Sequence, residues 1–403
     1  MVKVTHKNLK ESVEVDRIIG KISNNKPGPT VIFLCGTHGN ETSSIFGIKK
    51  VLESIKKLDL QIEGEMVAAF AGNLKALAND VRYIDNDLNR GWVTSRLKRL
   101  GFLDESDRMK GHEREEQKEI VETLKQVVGR AKGEVFIFDL HTTSSVSPPF
   151  CAISDTIKNR KVALEFPVPC VVGFDEQTRG TFMNYISEMG FPGVAFEAGE
   201  HYALSSIENN VSFIWCALGI VGCIKKEDIP LYHKHFQNLG KANFGEHKIF
   251  DLVYHHEISD DDKFQMKPGY TTFDKIEKGE HLADDKDGPV YAQESGHIFM
   301  PLYQKQGDDG YFIVQEKSQE WLDLTEDLRV NRDDKYLEEL PGVSKHPEDD
   351  HTLIIEEPLF EDIRDRLHMM GFRRKREKGN KIMITRRAYD FDVPDLKSVD
   401  LTI

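Results

Sequence analysis

Histidines and carboxylates follow directly after short apolar runs in the first half of the chain. His38 and Glu41 stand in the segment Gly-Thr-His-Gly-Asn-Glu after one run, and His141 closely follows Asp139 at the end of another. Glu197 ends a third such run. Two histidines and one glutamate are a known ligand set for catalytic zinc, in which the fourth position is left for water. We therefore expect His38, Glu41 and His141 to bind one zinc ion per chain.

The local spacing of these residues fits a shared metal. His38 and Glu41 are three residues apart, so both side chains can face one point if a helix begins near Asn40. We expect Gly39 to let the backbone approach the metal closely. Asp139 is expected to orient His141 through the second ring nitrogen. Either histidine alone is more often an ordinary core or turn residue, but the combination favours a metal site.

A charged segment at residues 80–90 contains two arginines, two asparagines and a tyrosine. Beside a metal, Arg82 could stabilise the oxyanion of a tetrahedral intermediate. Asn89 and Arg90 could bind a carboxylate, because a guanidinium group matches it with two parallel hydrogen bonds. The alternative is a charged loop in which Asp85 and Asp87 are the partners of the arginines.

The elements that must position these residues alternate between strand and helix. Apolar runs predict strands at 31–36, 65–71, 134–140 and 191–197, and helical spacing predicts helices at 43–58 and 113–128. This alternation indicates an α/β domain with a largely parallel sheet. Ligands of such sheets bind outside the carboxyl ends of the strands, where the histidines and carboxylates are placed.

The pattern of apolar and polar residues changes after about residue 225. We predict a catalytic domain at 1–225, a helical or linker segment at 226–248, a small β domain at 249–316 and a charged α+β extension at 317–403. The β domain is expected to have strands at 270–273, 289–292, 297–300 and 311–314. The extension is expected to contain a helix at 359–370 and a strand at 381–385. Its basic run at 373–376, with Arg386 and Arg387, could contact an acidic partner, but a solvated face is favoured.

The composition of the chain indicates which kinds of partner it can bind. The net charge of the 403-residue chain is -14, which disfavours nucleic acid as a partner. The longest apolar run, 211–224, is shorter than the ~20 residues that span a bilayer, so we expect no membrane insertion. No targeting segment is visible, and the five cysteines include no C-x-x-C pair, which is typical of reduced core residues in a cytoplasmic protein. We expect a small carboxylate-bearing substrate and leave open whether the protein is a homo-oligomer.

Taken together, the motifs resemble the succinylglutamate desuccinylase/aspartoacylase family, a branch of the zinc carboxypeptidase-like proteins. The resemblance covers roughly residues 31–200 and, more loosely, the chain to about 314; it rests on the segments at 36–41, 82–90, 139–141 and 196–199. It implies an α/β/α sandwich with zinc on the three ligands named above. It also implies Glu197 as the base that activates water, Arg82 as the group that polarises the scissile carbonyl, and Asn89 and Arg90 as substrate-binding residues.

The resemblance implies hydrolysis of an amide bond by zinc-bound water, typically with release of an acyl group from an N-acyl amino acid. Aspartoacylases have a substrate-binding arginine shortly before the catalytic glutamate. Residues 182–196 contain no arginine here, and the nearest is Arg179. We therefore expect a dicarboxylic substrate to gain little over a monocarboxylic one. A metallocarboxypeptidase or peptide amidase, and a non-catalytic binding protein on a hydrolase fold, are the alternatives.

Overall fold

The computed structural model describes residues 1–24, 26–103, 108–178, 180–241, 248–331, 335–392, 394–396, 399 and 401. The strands are β1 (Val2–His6), β2 (Glu11–Val15), β3 (Ile18–Ser23), β4 (Thr30–Cys35), β5 (Met66–Ala71), β6 (Val135–Thr143), β7 (Phe150–Ile153), β8 (Cys170–Val172), β9 (Gly193–Glu200), β10 (Ile249–Glu257), β11 (Gln265–Met266), β12 (Lys275–Ile276), β13 (His281–Asp285), β14 (Gly288–Tyr291), β15 (Gly296–Phe299), β16 (Asp309–Lys317), β17 (Val343–His346), β18 (Asp349–Glu356), β19 (Arg374–Lys378) and β20 (Lys381–Thr385). The α-helices are α1 (Ser43–Lys57), α2 (Leu74–Asn79), α3 (Ser95–Arg99), α4 (Gly111–Val128), α5 (Ile157–Ala163), α6 (Phe174–Gln177), α7 (Phe182–Glu188), α8 (Leu204–Ile220), α9 (Tyr232–Gly240), α10 (Gln319–Val330), α11 (Lys335–Glu338) and α12 (Glu357–Met369).

A mixed sheet organises the fold. Within the described residues it has eleven strands in the order β12-β15-β16-β10-β8-β7-β9-β6-β4-β5-β3. Strands β9, β6, β4 and β5 are mutually parallel, as are β7, β8 and β10, whereas β7 runs antiparallel to β9 and both outer parts of the sheet are antiparallel. The predicted α/β fold class is confirmed, with parallel pairing concentrated in the centre of the sheet.

Helices cover both faces of the central strands. Strand β4 is buried along its whole length, and its residues alternate between two hydrophobic cores. One core contains Phe33 and side chains of α1 and α8, and the other contains Leu34 and side chains of α4 and α7. This alternation follows from the two-residue repeat of a strand, and it explains why β4 is apolar throughout. The arrangement is the predicted three-layer α/β/α sandwich.

The sheet continues across the predicted boundary at residue 248. Strand β10 pairs in parallel with β8, and β16, β15 and β12 extend the same sheet outward. A separate three-stranded sheet is formed by β11, β13 and β14. The division of the chain into four units stays a prediction.

The predicted strand at 270–273 is wrong. This segment is a turn in which the backbone of Phe273 has a φ of 75° and the amide of Thr271 donates to the carboxylate of Asp274 at 2.7 Å. The ring of Phe273 stacks on Phe250 at 4.7 Å, so its apolar character serves packing rather than sheet formation. The short strand β12 begins two residues later.

The C-terminal extension has its own sheet and core, and the helix and strand predicted at 359–370 and 381–385 correspond to α12 and β20. Its four strands are ordered β17-β18-β20-β19, and α12 packs its apolar side chains into the same cluster. The expectation of a solvated basic face is wrong for Arg373 and Arg374, which are buried. The reason is that Arg373 lies 2.8 Å from a carboxylate oxygen of Asp155, just after β7, and 2.7 Å from one of Asp251 on β10.

All five cysteines lie within the described part of the chain, and each is buried and free of a disulfide bond, as expected for core thiols. Among the described residues, we find no helix whose length and apolar character would allow it to cross a membrane.

Candidate active site

Three predicted ligands meet at the carboxyl edge of the central sheet. His38 and Glu41 lie in the loop from β4 to α1, and His141 lies near the end of β6, which pairs in parallel with β4. Nδ1 of His38 is 2.6 Å from Oε1 of Glu41, and Nδ1 of His141 is 3.0 Å from Oε2 of Glu41. One ligand atom from each residue lies within 4.8 Å of the other two, and all three side chains are buried. The cluster predicted from sequence is therefore assembled in the fold.

The outward-facing nitrogens of both imidazole rings contact carboxylates. Nε2 of His38 is 3.0 Å from Asp87, and Nε2 of His141 is 2.9 Å from Asp139. The hydroxyl of Thr37 donates to the other oxygen of Asp139 at 3.0 Å. Carboxylates in this position fix the ring orientation and leave Nδ1 facing the ligand cluster, which is the usual arrangement around a metal-binding histidine. The role expected for Asp139 fits this geometry. The contact between Asp87 and His38 was not expected from the sequence.

The electrostatics of the cluster favour a positive charge at its centre. Burial disfavours the charged form of Glu41, but His38 and His141 hold the pKa of its carboxyl well below the usual range. Burial likewise opposes protonation of His141, yet Asp139 and Glu41 raise its pKa well above the usual value. Buried carboxylates around two imidazoles need a cationic partner, and a divalent metal ion would provide it.

Gly39 lies very close to the backbone of α2. A Cβ atom at this position would lie 2.0 Å from the carbonyl carbon of Ala76, in the backbone of α2. The amide of Gly39 also donates to the carbonyl of Arg82 at 3.1 Å. The glycine therefore lets the ligand loop pack against α2 and against the loop that contains Arg82.

Glu197 lies beside the ligand cluster because of strand register. Strands β6 and β9 are parallel neighbours, and His141 is the register partner of Glu197. Glu197 is buried, and among the described residues its Oε2 has no hydrogen-bond partner. Burial raises the pKa of Glu197 to about 8, although His141 and Arg82 act in the opposite direction. A carboxyl group with a pKa near neutrality can both accept and release a proton, which suits general acid–base chemistry.

Arg82 points towards the same cluster. Its Nε and Nη2 lie 2.9 Å and 2.8 Å from Oδ2 of Asp87, and its Nη1 lies 3.8 Å from Oε1 of Glu41. Asp87 thus joins Arg82 to His38. Burial disfavours the charged form of Asp87, but Arg82 and His38 keep the pKa of its carboxyl well below the usual range. The alternative pairing considered for the charged loop therefore holds in part, because Asp87 is the partner of Arg82.

Asn89 and Arg90 line the same cavity but already have protein partners. The side-chain oxygen of Asn89 accepts a hydrogen bond from the amide of Phe182 at 2.8 Å, at the start of α7. The Arg90 guanidinium forms an ion pair with Asp309 and donates to the carbonyl of Asn89 at 2.8 Å. Asp85, the other partner considered for the arginines, instead accepts a hydrogen bond from the amide of His112. Arg179, the nearest arginine considered from the sequence, lies outside the described residues.

A buried carboxylate that the sequence did not single out binds the backbone of the charged loop at residues 80–90. Glu113, in the first turn of α4, is fully buried. Its two oxygens accept four hydrogen bonds of 2.7–3.2 Å, from the side chain of Asn73 and the amides of Ile84, Asp85 and Asn86. Nothing local distinguishes this glutamate, because its partners lie 27–40 residues earlier in the chain.

Residues from the loop between β15 and β16 and several apolar side chains also line the cavity. The loop between β15 and β16 contributes Gln304, whose side-chain oxygen lies 3.1 Å from Asn40 and 3.2 Å from His201. The apolar side chains that line the cavity, called the apolar wall below, are Ala152, Phe174, Met183, Ala195, Met300, Leu302 and Phe312. A larger cleft of about 1050 Å³ lies between β10 and the extension and contains none of the predicted site residues.

This mixed sheet, with its ligand cluster at the carboxyl edge, defines a zinc-carboxypeptidase-like α/β protein. Residues 27–211 match the succinylglutamate desuccinylase/aspartoacylase catalytic domain. This segment is similar to the family's catalytic domain, and the resemblance predicted from sequence is confirmed over these residues.

Known relatives agree with this assignment over most of their length. An N-acyl-aromatic-L-amino acid amidohydrolase (carboxylate-forming) from Xenopus tropicalis is 26% identical over 281 residues, which are 65% of this chain and 86% of the relative. A probable aspartoacylase from Acaryochloris marina is 24% identical over 298 residues, 72% of this chain and 85% of the relative. The crystal structure of succinylglutamate desuccinylase from Vibrio cholerae superposes with a TM-score of 0.54 at 16% identity, covering 72% of this chain and 82% of that one. The structural likeness shows the shared fold.

Proposed function

We propose that this protein is a zinc-dependent hydrolase that cleaves the amide bond of an N-acyl amino acid. The observation that carries the proposal is the position of Glu197, a buried carboxyl with an unpartnered oxygen, beside the cluster of His38, Glu41 and His141. The relatives described above are amidohydrolases and aspartoacylases by name, which supports a deacylation reaction.

The residues of the cluster fit a zinc ion. Two imidazole nitrogens and a carboxylate face one another in a buried position, and Asp87 and Asp139 support the imidazole rings from behind. This is the ligand chemistry of catalytic zinc sites with three protein ligands. When bound, zinc would act as a Lewis acid and lower the pKa of a coordinated water towards ~7.

Glu197 and Arg82 supply the proton and charge chemistry of the proposal. Glu197 takes a proton from the attacking water while the oxygen of that water forms a bond to the amide carbon. The Arg82 guanidinium stabilises the negative charge that develops on the carbonyl oxygen. Glu197 then delivers its proton to the leaving nitrogen as the carbon–nitrogen bond breaks, which releases a carboxylate and a free amine. Asp87 holds Arg82 in place for this role.

The cavity suggests which part of the substrate binds where. Asn89 and Arg90 would bind the α-carboxylate of the amino acid, as the family resemblance implies. The apolar wall, which includes Phe174, Met183 and Phe312, would receive an apolar side chain or acyl group. The aromatic amino acid in the name of the Xenopus relative is consistent with this arrangement.

The test uses zinc-loaded protein and a panel of N-acyl amino acids beside dipeptides and peptide amides. We expect turnover of N-acyl amino acids with one carboxylate. The Glu197→Gln variant should retain zinc but lose ~10²–10⁴-fold in kcat, the usual contribution of a general base.

Glu200→Gln is the matched control, because Glu200 is exposed at the end of the same strand. Near-normal turnover by Glu197→Gln, together with a large loss in Glu200→Gln, would move the base to Glu200. Preference for peptides over N-acyl amino acids would instead indicate a carboxypeptidase.

A further inference from the structure

The cations of the active-site cavity are already matched by carboxylates. Among the described residues that line the cavity, the lysine and arginine side chains are Arg82 and Arg90. Arg82 is paired with Asp87, and Arg90 is paired with Asp309. A substrate carboxylate therefore meets Arg90 with a competing anion at its side.

Asp309 is held in a fixed position. One of its oxygens contacts Arg90, and the other lies 2.8 Å from Nε2 of His255. The His255 ring stacks on Phe312 with a centroid distance of 4.4 Å and an interplanar angle of 16°, and the two residues are register partners on β10 and β16. The carboxylate is thus held at both oxygens, by Arg90 from the loop between α2 and α3 and by His255 packed in the sheet.

The ion pair keeps its charges despite its environment. Burial disfavours the anion of Asp309, but Arg90 and His255 lower the pKa of its carboxyl below the usual range. Arg90 uses Nη2 for Asp309 and Nη1 for the Asn89 carbonyl. A guanidinium group has five N–H donors, so Arg90 retains donors for one substrate carboxylate, although part of its charge is offset.

We propose that Asp309, positioned by His255, is a specificity-determining residue that restricts the site to substrates with one carboxylate. It fixes the Arg90 guanidinium for a single carboxylate, and its own charge repels a second one, for which the described cavity offers no further lysine or arginine. This inference rests on the proposed function, because it assumes that Arg90 binds the substrate's α-carboxylate.

The test compares isosteric substrates that differ by one charge. N-acetylglutamine has one carboxylate and N-acetylglutamate has two. We expect the ratio of kcat/KM for glutamate over glutamine substrates to rise about tenfold or more in Asp309→Asn, since removal of a nearby like charge relieves a repulsion of that order. Asp308→Asn is the matched control, because it removes the same charge from the neighbouring residue without breaking the ion pair, and its ratio should change far less.

A second variant separates positioning from charge. His255→Phe retains a ring that can stack on Phe312 but loses the N–H that holds Asp309. We expect KM to rise several-fold for both substrates while kcat changes little, with thermal unfolding measured to confirm that the variant is folded. A loss confined to kcat would contradict a role in holding Arg90.

Direct binding makes the test independent of turnover. The affinities of zinc-loaded wild type, Asp309→Asn and Asp308→Asn are measured for glutaramate, with one carboxylate, and glutarate, with two. The glutarate-to-glutaramate ratio should rise only in Asp309→Asn. An unchanged ratio, an equal rise in Asp308→Asn, or no binding of either acid to any of the proteins overturns the inference. If wild type hydrolyses no N-acyl amino acid but the binding ratio shifts as expected, the proposed function fails and the role of Asp309 stands.

Discussion

The Gly39→Ala substitution should disable the metal site without touching a ligand. Gly39 lies between His38 and Glu41 in the ligand loop. An added Cβ would stand 2.0 Å from the carbonyl carbon of Ala76, 2.3 Å from its oxygen and 2.4 Å from the amide nitrogen of Leu77. These are backbone atoms of α2, so no side-chain rotation can relieve the clash. The separation has to grow to at least 3.4 Å, the lower limit of ordinary contact.

The size of this movement sets the expected effect. The loop is tied to its neighbours by the hydrogen bond from Gly39 to Arg82, so a shift also disturbs the Arg82 loop. Metal–ligand distances tolerate only about ±0.2 Å, and a movement of roughly an ångström at the loop exceeds that limit. We expect zinc affinity to fall by more than ~100-fold, the upper end for changes that leave the ligands intact. Overpacking should also destabilise the fold by about 1–3 kcal/mol.

Zinc affinity is measured by competition with a chelator, and stability by thermal unfolding. Gly240→Ala is the matched control, because Gly240 ends helix α9 and the nearest atom to its added Cβ would be Cβ of Pro167 at 3.6 Å. The control should behave like wild type in both assays. Wild-type zinc affinity and stability in Gly39→Ala would refute the argument that this close approach sets the ligand geometry.

Three further outcomes test the roles of individual residues. Wild type should bind about one equivalent of zinc, and His38→Ala and His141→Ala should lose it; elemental analysis that finds full metal in both variants would rule out these ligands. Arg82→Ala should lower kcat by ~10²–10³-fold with a smaller rise in KM, because an oxyanion donor acts mainly in the transition state, whereas a change in KM alone would indicate ground-state binding. Wild type should prefer a free-acid substrate over its amide by roughly ten- to a hundredfold in kcat/KM, the value of a charge-assisted hydrogen bond; an equal preference in Arg90→Ala would show that another group binds the carboxylate.

The cluster of His38, Glu41 and His141 could be predicted from sequence because each residue closely follows a recognisable apolar run. His38 and Glu41 share one loop, and His141 closes a neighbouring apolar run. The carboxyl ends of β4 and β6 meet in the sheet because the two strands are parallel and in register from Thr30 to Cys35. Recognising both runs as buried parallel strands placed these residues at one edge of the sheet, and the pairing of β4 with β6 brings them together there.

The partners of the site residues could not be predicted in the same way. Arg90 and Asp309 are 219 residues apart, and their pairing depends on how β16 extends the sheet beyond β10 and β8. Asp87 was considered as a partner of the arginines, but its contact with His38 depends on how the loop folds over the ligands. Both cases turn on strand order and loop packing, which composition and periodicity do not determine.

The C-terminal extension, whose purpose the sequence left open, supports one wall of the cavity. Arg329 and Arg373 from the extension both contact the fully buried carboxylate of Asp155, just after β7, the strand that contributes Ala152 to the cavity wall. Arg387 lies 3.1 Å from Glu188 at the end of α7, the helix whose first amide is held by Asn89. Removing one partner of a buried ion pair typically costs about 3–5 kcal/mol, because the other charge is left uncompensated. The extension is therefore joined to the elements that shape the substrate side of the cavity, and its basic residues serve that attachment.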